Sequence, residues 1–482
     1  MINLEIKQGV VYSFLGKYSN ILVTVLITSI LARLISPKEF GVLAVISVFL
    51  TFFNNIFEMG FLSAIIQKEK ITNEFINTIF ILTIILGIIL SIAFYFFSKF
   101  FIVNYYQNSE YEIIGRYLCM TLFIAMISLV PKALISREKK FKELAIITFL
   151  SNIISGMIAI ILAYKEFSYY SLIWQGFFMN FFIFLFSIKF IKYFPKLYFK
   201  KEELNGFIGY SGYLFSFNII NFFSRNLDNV LIGKYFGMEV LGYYDRAYKL
   251  MGYPIAGLTY VITPVLHPVF ARYQNNKNKI YDEYLKIVKI LGYLGIFSSI
   301  ILFFSAKEVI FILYGERWLE VVPVFKVLVC STFIQVVLSS TGSIFMATGR
   351  SDKMFSSGCV YSGGLIIAIV IGIYLKNIYY LGIGLFVAFL FGFFAIYYSL
   401  IKKVFKKSFC RFLLTFKENV LIGMLLVMGN ILVNYFIKID NIFFSLIVKM
   451  LINLFFNIIL LRMIYFRKYS LKEIIKLIKE EI

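Results

Sequence analysis

The chain has 482 residues, of which 60% are hydrophobic, 19% aromatic and only 15% charged, and its mean hydropathy is +0.85. That balance excludes an ordinary soluble protein, and no stretch between the apolar runs is long enough to bury a core of its own. The net charge of +22 lies in short Lys and Arg clusters between those runs, where the orientation signals of a membrane protein belong, so it argues against nucleic acid as a partner.

A helix crosses the hydrocarbon with about 20 mostly apolar residues. The sequence therefore predicts an all-α integral membrane protein of about fourteen transmembrane helices. They fall at about 10–34, 40–66, 75–98, 113–136, 143–164, 169–192, 206–235, 242–272, 284–305, 323–347, 354–375, 379–402, 418–438 and 442–465. The first apolar stretch is too long for a signal-peptide core and lacks a small-residue cleavage site, so it is expected to remain as span one. After span nine, "EVIFILYGERWLEVV" reads as a short interfacial helix and a turn. Cys119, Cys330, Cys359 and Cys410 are scattered without a C-x-x-C pair, which predicts neither a disulfide frame nor a zinc site.

Alternate connections are rich in cations, among them Arg137, Lys139, Lys140 and Lys142, then Lys192, Lys196, Lys200 and Lys201, then Lys402, Lys403, Lys406, Lys407 and Arg411. Excess positive charge marks the cytoplasmic side, so both termini are expected in the cytoplasm and the span count is expected to be even. An internal repeat is visible as well. "LARLISPKEFG" aligns with "IGKYFGMEVLG", Arg33 over Lys234 and Gly41 over Gly242, and "SREKKF" matches "GRSDKM". The organisation this predicts is a six-helix lobe over 1–200, a second six-helix lobe of the same orientation over 201–410, and two further spans with a tail over 411–482.

Four helices carry polar stripes, and they are the first two of each repeat. Span one has Ser13, Lys17, Asn20, Thr24 and Thr28; span two has Ser47, Thr51, Asn54 and Glu58. Span seven places Ser211, Asn218, Asn221, Arg225, Asp228 and Asn229 at steps of three, four or seven, and span eight has Asp245, Lys249, Thr259, Thr263 and His267. An ionisable group at the bilayer centre costs about 2.5–3.5 kcal/mol on insertion scales, so aligned groups should face protein or a hydrated cavity. The bland alternative is that they lock helices together, Arg225 with Asp228 and Asp245 with Lys249 across single turns, while Arg33, Lys234 and Arg246 snorkel outward.

The cations Lys17, Arg33, Arg225, Lys234, Arg246 and Lys249 outnumber Glu58, Asp228 and Asp245. A cavity lined by them would favour an anion, and Arg suits a phosphate because its planar fork donates two hydrogen bonds at once. Pro254, Pro264 and Pro268 predict kinks in span eight, and His267, between two of them, is expected to be interfacial or packed. No phosphate loop, metalloprotease motif or nucleophile elbow is present, so neither catalysis nor a cofactor is expected.

"ILARLISPKEFGVLAVISVF", "FEMGFLSAIIQKEKIT", "ALISREKKFKELA", "NLDNVLIGKYFGMEVLGYYDRAYKL", "VLHPVFARYQ", "YGERW" and "MATGRSDK" resemble the signature segments of Wzx-type polysaccharide flippases. The likeness is to the O-antigen, colanic and teichuronic acid branch of the multidrug, oligosaccharidyl-lipid and polysaccharide exporter superfamily. It runs in order from about residue 10 to about residue 355 and weakens after about residue 360.

The resemblance implies a flippase that moves an undecaprenyl-diphosphate-linked oligosaccharide across the cytoplasmic membrane by alternating access through a cationic central cavity. The last two helices would guide lipid. It directs interest to Arg33, Arg225, Lys234 and Arg246 as binding residues and to Asp228 and Asp245 beside them. Glu58 and Asp228 are the carboxylates to examine for coupling to a proton or sodium gradient, with Asp245 as a gating group. Competing readings are a lipid II flippase, a drug or cation exporter, a membrane polysaccharide polymerase or ligase, and a structural scaffold. The positive stripes disfavour the cation exporter, and the polymerase lacks its long outer loop.

Overall fold

The structure, a computed structural model, describes residues 2–57, 65, 71–191, 193, 195–200, 212–436, 439 and 441–464. Among the described residues every regular element is a helix. The chain divides into two compact units, Met1–Gly242 and Tyr243–Ile482.

The first unit contains α1 (Ile2–Leu34), α2 (Pro37–Phe57), α3 (Asn73–Phe97), α4 (Glu110–Arg137), α5 (Phe141–Tyr164), α6 (Tyr169–Phe190) and α7 (Gly212–Tyr235). It also holds the first turn of α8 (Met238–Ala271). α3 continues through a wider π turn, Ser98–Ile102, into a last helical turn ending at Tyr106.

The start of α2 is written into "SPKE". Pro37 takes the first helical position, where its missing N–H costs nothing. The Glu39 carboxylate accepts hydrogen bonds from both the backbone N–H and the hydroxyl of Ser36, each at 2.7 Å. This reciprocal cap satisfies donors that the first turn leaves open. Ser168, just before α6, donates to the other oxygen of Glu39 and so ties the two helix starts together.

Within the bundle, amides and hydroxyls bridge α1 and α5. Asn20 of α1 donates to Thr148 of α5 at 3.2 Å, and Asn152 donates to Thr24 at 2.9 Å. Such bonds add to van der Waals packing where lipid supplies no hydrophobic drive between helices.

Gly41 and Gly242, aligned by the sequence repeat, lie against one another. A Cβ on Gly41 would stand 1.7 Å from the carbonyl oxygen of Met238, and one on Gly242 would stand 1.9 Å from that of Pro37. The starts of α2 and α8 thus cross backbone on backbone, an approach only glycine permits.

The second unit contains most of α8, then α9 (Lys277–Phe304), a short α10 (Ala306–Tyr314), and α11 (Val321–Val329), α12 (Thr332–Leu338) and α13 (Thr341–Ala347). It ends with α14 (Ser351–Tyr374), α15 (Ile378–Tyr398), a short α16 (Phe409–Leu414), α17 (Lys417–Phe436) and α18 (Ile442–Ile464). α10 and the 3₁₀ turn Glu316–Trp318 occupy the segment read as a short helix and turn. At the turn between them Gly315 has φ +93°, where any other residue would be strained.

α11 and the run from α12 to α13 meet at 44° across a first break at Cys330 and Ser331. Buried phenols hold the second break. Tyr284 of α9 shares a hydrogen bond with Ser340 at 2.8 Å and another with Tyr397 of α15 at 2.9 Å, and Tyr397 donates to the Val337 carbonyl at 3.0 Å.

α17 and α18 are fastened to each other and to α9 and α10 by polar groups along their length. Lys289 pairs with Glu418 at 2.6 Å, and Asn430 and Asn453 exchange amide hydrogen bonds at 2.6 and 2.9 Å. Tyr293 donates to Asn457, while Glu308 on α10 accepts from Lys449 at 2.5 Å and from Ser445 at 3.0 Å.

Burial pushes the Glu308 carboxyl up, but the hydrogen bond from Lys449, its own backbone N–H and the Ser445 hydroxyl outweigh it and leave the group below the usual carboxylate value. A carboxylate depressed in the folded state contributes stability that is present above its unfolded pKa and is lost as pH falls through the folded one. The thermal stability advantage of the natural chain over Glu308→Gln in detergent should therefore hold at neutral pH and shrink below about pH 4. A gap unchanged down to pH 3 would remove Glu308 from the acid response.

Eleven helices among the described residues are long and apolar enough to cross a membrane, or twelve if the broken pair counts as one span. The chain is a multi-span membrane protein, and the expected count of fourteen is not confirmed among the described residues. α7 and α8, with 24 and 34 residues, are not among the helices counted. At 1.5 Å per residue they are about 36 and 51 Å long, ample for a bilayer. α8 runs as a continuous helix through Pro254, Pro264 and Pro268.

Candidate functional site

The site is built on α8 about two to three turns from its start. Asp245 and Lys249 are four residues apart and so lie over one another on a helix face. Their carboxylate and ammonium meet at 3.0 Å. Arg246 reaches the same carboxylate oxygen from the adjacent position, with Nη2 at 2.7 Å and Nε at 3.1 Å.

Asp245 is 5% exposed and Arg246 9%, whereas the Lys249 side chain remains 49% exposed. Burying two ionised groups is costly unless they are paired and hydrogen bonded, which accounts for the double grip of the guanidinium on Asp245. With Asp245 ionised, the three groups together carry one net positive charge, and the half-exposed Lys249 side chain is the part open to a ligand. The arrangement can bind an anion. It contains no activated nucleophile.

Aromatic residues enclose the cluster within the second unit. Tyr314, at the end of α10, and Tyr253, on α8, lie within electrostatic reach of Arg246. Trp318 is fully buried and meets Tyr314 at 5.6 Å and, edge to face, Tyr243 at 6.0 Å between ring centroids. The "YGERW" segment therefore packs its two rings beside the charged start of α8, with Gly315 making the turn that allows it. Burial pushes the Tyr314 hydroxyl well above its usual value, so it stays a neutral hydrogen-bonding group.

α7, in the first unit, carries the second set. Ser224 and Asp228, four apart, form a buried edge, with Asp228 only 3% exposed. The Asp228 carboxylate accepts from the Asn229 backbone N–H at 2.8 Å. Arg225 lies on an exposed side of the same helix, so the stripe read as one face spreads over a buried and an exposed flank. Lys234 donates to the Tyr105 carbonyl and stands 5.0 Å from the centre of that ring, which ties α7 to the end of the α3 span.

Lys17 and Arg33 are exposed on α1. Glu58 and Ser211 lie outside the described residues, as do the side chains of Asn218 and Asn221. On α8, Thr259 is buried and donates to Ile255 within its own helix, while His267 is exposed. Of the nine residues singled out by sequence, Asp245, Arg246 and Lys249 meet in direct contact. Tyr253, Tyr314 and Trp318 were missed, and only the "YGERW" segment hinted at two of them.

The fold is that of a multi-span transporter. It is similar to the solved inward closed conformation of the lipid II flippase MurJ, with a TM-score of 0.73 and 16% identity over 95% of this chain and 99% of that one. An inward-facing multidrug resistance MATE family transporter of the MOP superfamily gives a TM-score of 0.62 at 15% identity, over 81% and 96% of the two chains.

Residues 30–323 match the polysaccharide biosynthesis protein family, and the chain belongs to that family. Curated relatives include the teichuronic acid biosynthesis protein TuaB of Bacillus subtilis (strain 168), 28% identical over 64% of this chain and 65% of that protein, a little under two thirds of its length. The lipopolysaccharide biosynthesis protein WzxC of Escherichia coli (strain K12) is 24% identical over 80% and 79% of the two chains. The succinoglycan biosynthesis transport protein ExoT of Rhizobium meliloti (strain 1021) is 22% identical over 68% of each.

Proposed function

We propose that this protein is a flippase that carries an undecaprenyl-diphosphate-linked oligosaccharide from the inner to the outer leaflet of the cytoplasmic membrane, for assembly of a cell-surface polysaccharide. The observation that carries the reading is the net-positive Asp245–Arg246–Lys249 cluster, with Asp245 and Arg246 buried, in a chain of the polysaccharide biosynthesis family. A diphosphate is the ligand such a cluster suits, since Lys249 offers an open ammonium and Arg246 a guanidinium held in a fixed orientation. The polyprenyl tail stays in lipid while the headgroup crosses by alternating access through a cationic cavity.

In this reading both termini are cytoplasmic and the repeated halves are the moving bodies. The binding cations are Lys17, Arg33, Arg225, Lys234, Arg246 and Lys249. Glu58 and Asp228 are the groups to test for proton or sodium coupling, with Asp245 as the gate that holds Arg246. No bond is made or broken, so the protein is a transporter and not an enzyme.

Arg225→Ala combined with Arg246→Ala, in protein reconstituted into vesicles with a labelled lipid-linked oligosaccharide, should slow translocation at least tenfold, the loss of about 1.4 kcal/mol of binding. Unchanged transport by folded protein would remove these cations from the mechanism.

A further inference from the structure

At one end of the first unit, the start of α3, the turn from α4 to α5 and the end of α6 come together. Lys140, in that turn, donates to the Phe190 carbonyl at 2.8 Å. The chain leaving α6 does not return to solvent but is strapped across the start of α3. Tyr193 donates to the Asn77 side-chain oxygen at 3.0 Å, and the Lys196 backbone N–H donates to the same oxygen at 2.7 Å. The Lys200 backbone N–H donates to Thr78 at 3.1 Å, and its ammonium pairs with Glu74 at 2.5 Å. Ile191 and Tyr193 pack on the core formed by Phe75, Val130 and Leu134.

Residues 195–200 are thus held by side chains of α3 and bend at Leu197, where the Tyr198 N–H donates to the Lys196 carbonyl at 2.9 Å, although they form no helix of their own. What this course displays is apolar. Leu197 is 79% exposed, Tyr198 48% and Phe199 47%. Three such side chains in a row, outside any span, would be a liability in water. Beside the termini of spans such side chains suit the boundary between headgroups and acyl chains, where Tyr is favoured. The same end of the unit exposes Lys139, Lys142, Lys189 and Lys196, contributed by three separate parts of the chain. Basic groups next to a span attract the anionic lipids of the adjoining leaflet.

We propose that residues 195–200 are a docking strap for the anionic phospholipid surface of the membrane in which the protein sits. Leu197, Tyr198 and Phe199 enter the headgroup boundary, and Lys189 and Lys196 pair with lipid phosphates. The strap fixes the start of the connection to α7 at the bilayer surface. This inference needs only a membrane-spanning protein, so it stands whether or not a lipid-linked oligosaccharide is the cargo.

The test uses the full chain with Leu197→Trp, reconstituted into vesicles of phosphatidylcholine with phosphatidylglycerol, and follows the tryptophan emission gained over the unchanged chain. Acyl chains brominated on the anionic lipid should quench that emission more strongly than the same mole fraction of brominated zwitterionic lipid. Adding Lys189→Glu and Lys196→Glu should remove the preference, each charge altering local anionic lipid enrichment by on the order of fivefold. Stronger quenching by aqueous acrylamide than by either lipid would place the strap in water and overturn the proposal. Equal quenching by both brominated lipids would overturn the anionic selection.

Discussion

Asp245→Ala is expected to destabilise the protein by about 3–5 kcal/mol, because it removes the counter-charge from a guanidinium that has almost no access to solvent. Arg246 donates to Asp245 through two nitrogens and is nearly as buried as its partner, so deleting the carboxylate removes a close counter-charge from a guanidinium shielded from water. Asp245→Asn keeps an acceptor but not the charge and should fall between the two. Replacing both residues at once, Asp245→Leu with Arg246→Met, removes the buried pair and should recover most of the thermal stability, since apolar groups of similar size commonly match or exceed a buried ion pair. Transport is expected to remain lost in that double variant. Thermal unfolding in detergent and translocation in vesicles, measured side by side, separate the two roles. Transport restored together with stability would make the cluster a structural lock.

The second large effect is steric. Gly41→Ala should cost about 3 kcal/mol or more, at the severe end of overpacking, because the added methyl would be driven into a carbonyl oxygen on a helix that is itself fixed. The geometry at Gly242 is the mirror of this, so Gly242→Ala should be comparably damaging. Gly363→Ala is the control. It sits in α14 with nothing within 4 Å of an added Cβ, and should be neutral or stabilising by about 0.5–1 kcal/mol through helix propensity. The yield of monodisperse protein in detergent and its melting temperature would rank the three. Equal melting temperatures for Gly41→Ala and Gly363→Ala would refute the close crossing.

Long apolar runs made most helices legible, since length and hydropathy alone decide whether a segment suits a bilayer. The Asp245–Lys249 contact was legible too, because a spacing of four fixes two side chains over one another. The Arg246 grip on Asp245 was not. Adjacent residues on a helix point about 100° apart, and only the length and fork of Arg let it turn back to its neighbour. The stripe on α7 divided because period reveals which residues share a sector but not which neighbour covers it, leaving Asp228 buried and Arg225 exposed. Tyr314 and Trp318 were hidden for another reason: they reach α8 across a long interval of chain, and no local pattern encodes that. The repeat aligned Gly41 with Gly242 but gave no sign that the aligned residues touch. The 44° bend falls at Cys330 and Ser331, where no proline or glycine marks it, and the later break at Ser339 and Ser340 is held by tyrosines on two other helices.

Those tyrosines have a mechanical consequence. An interrupted span would ordinarily be the natural place for a joint, but at the break between α12 and α13 two phenols and a serine close the gap and occupy the loosened backbone carbonyl. That break is braced like a welded bracket. The long proline-bearing α8, whose ring positions already lack three backbone donors, is the element in the second unit built to yield more readily.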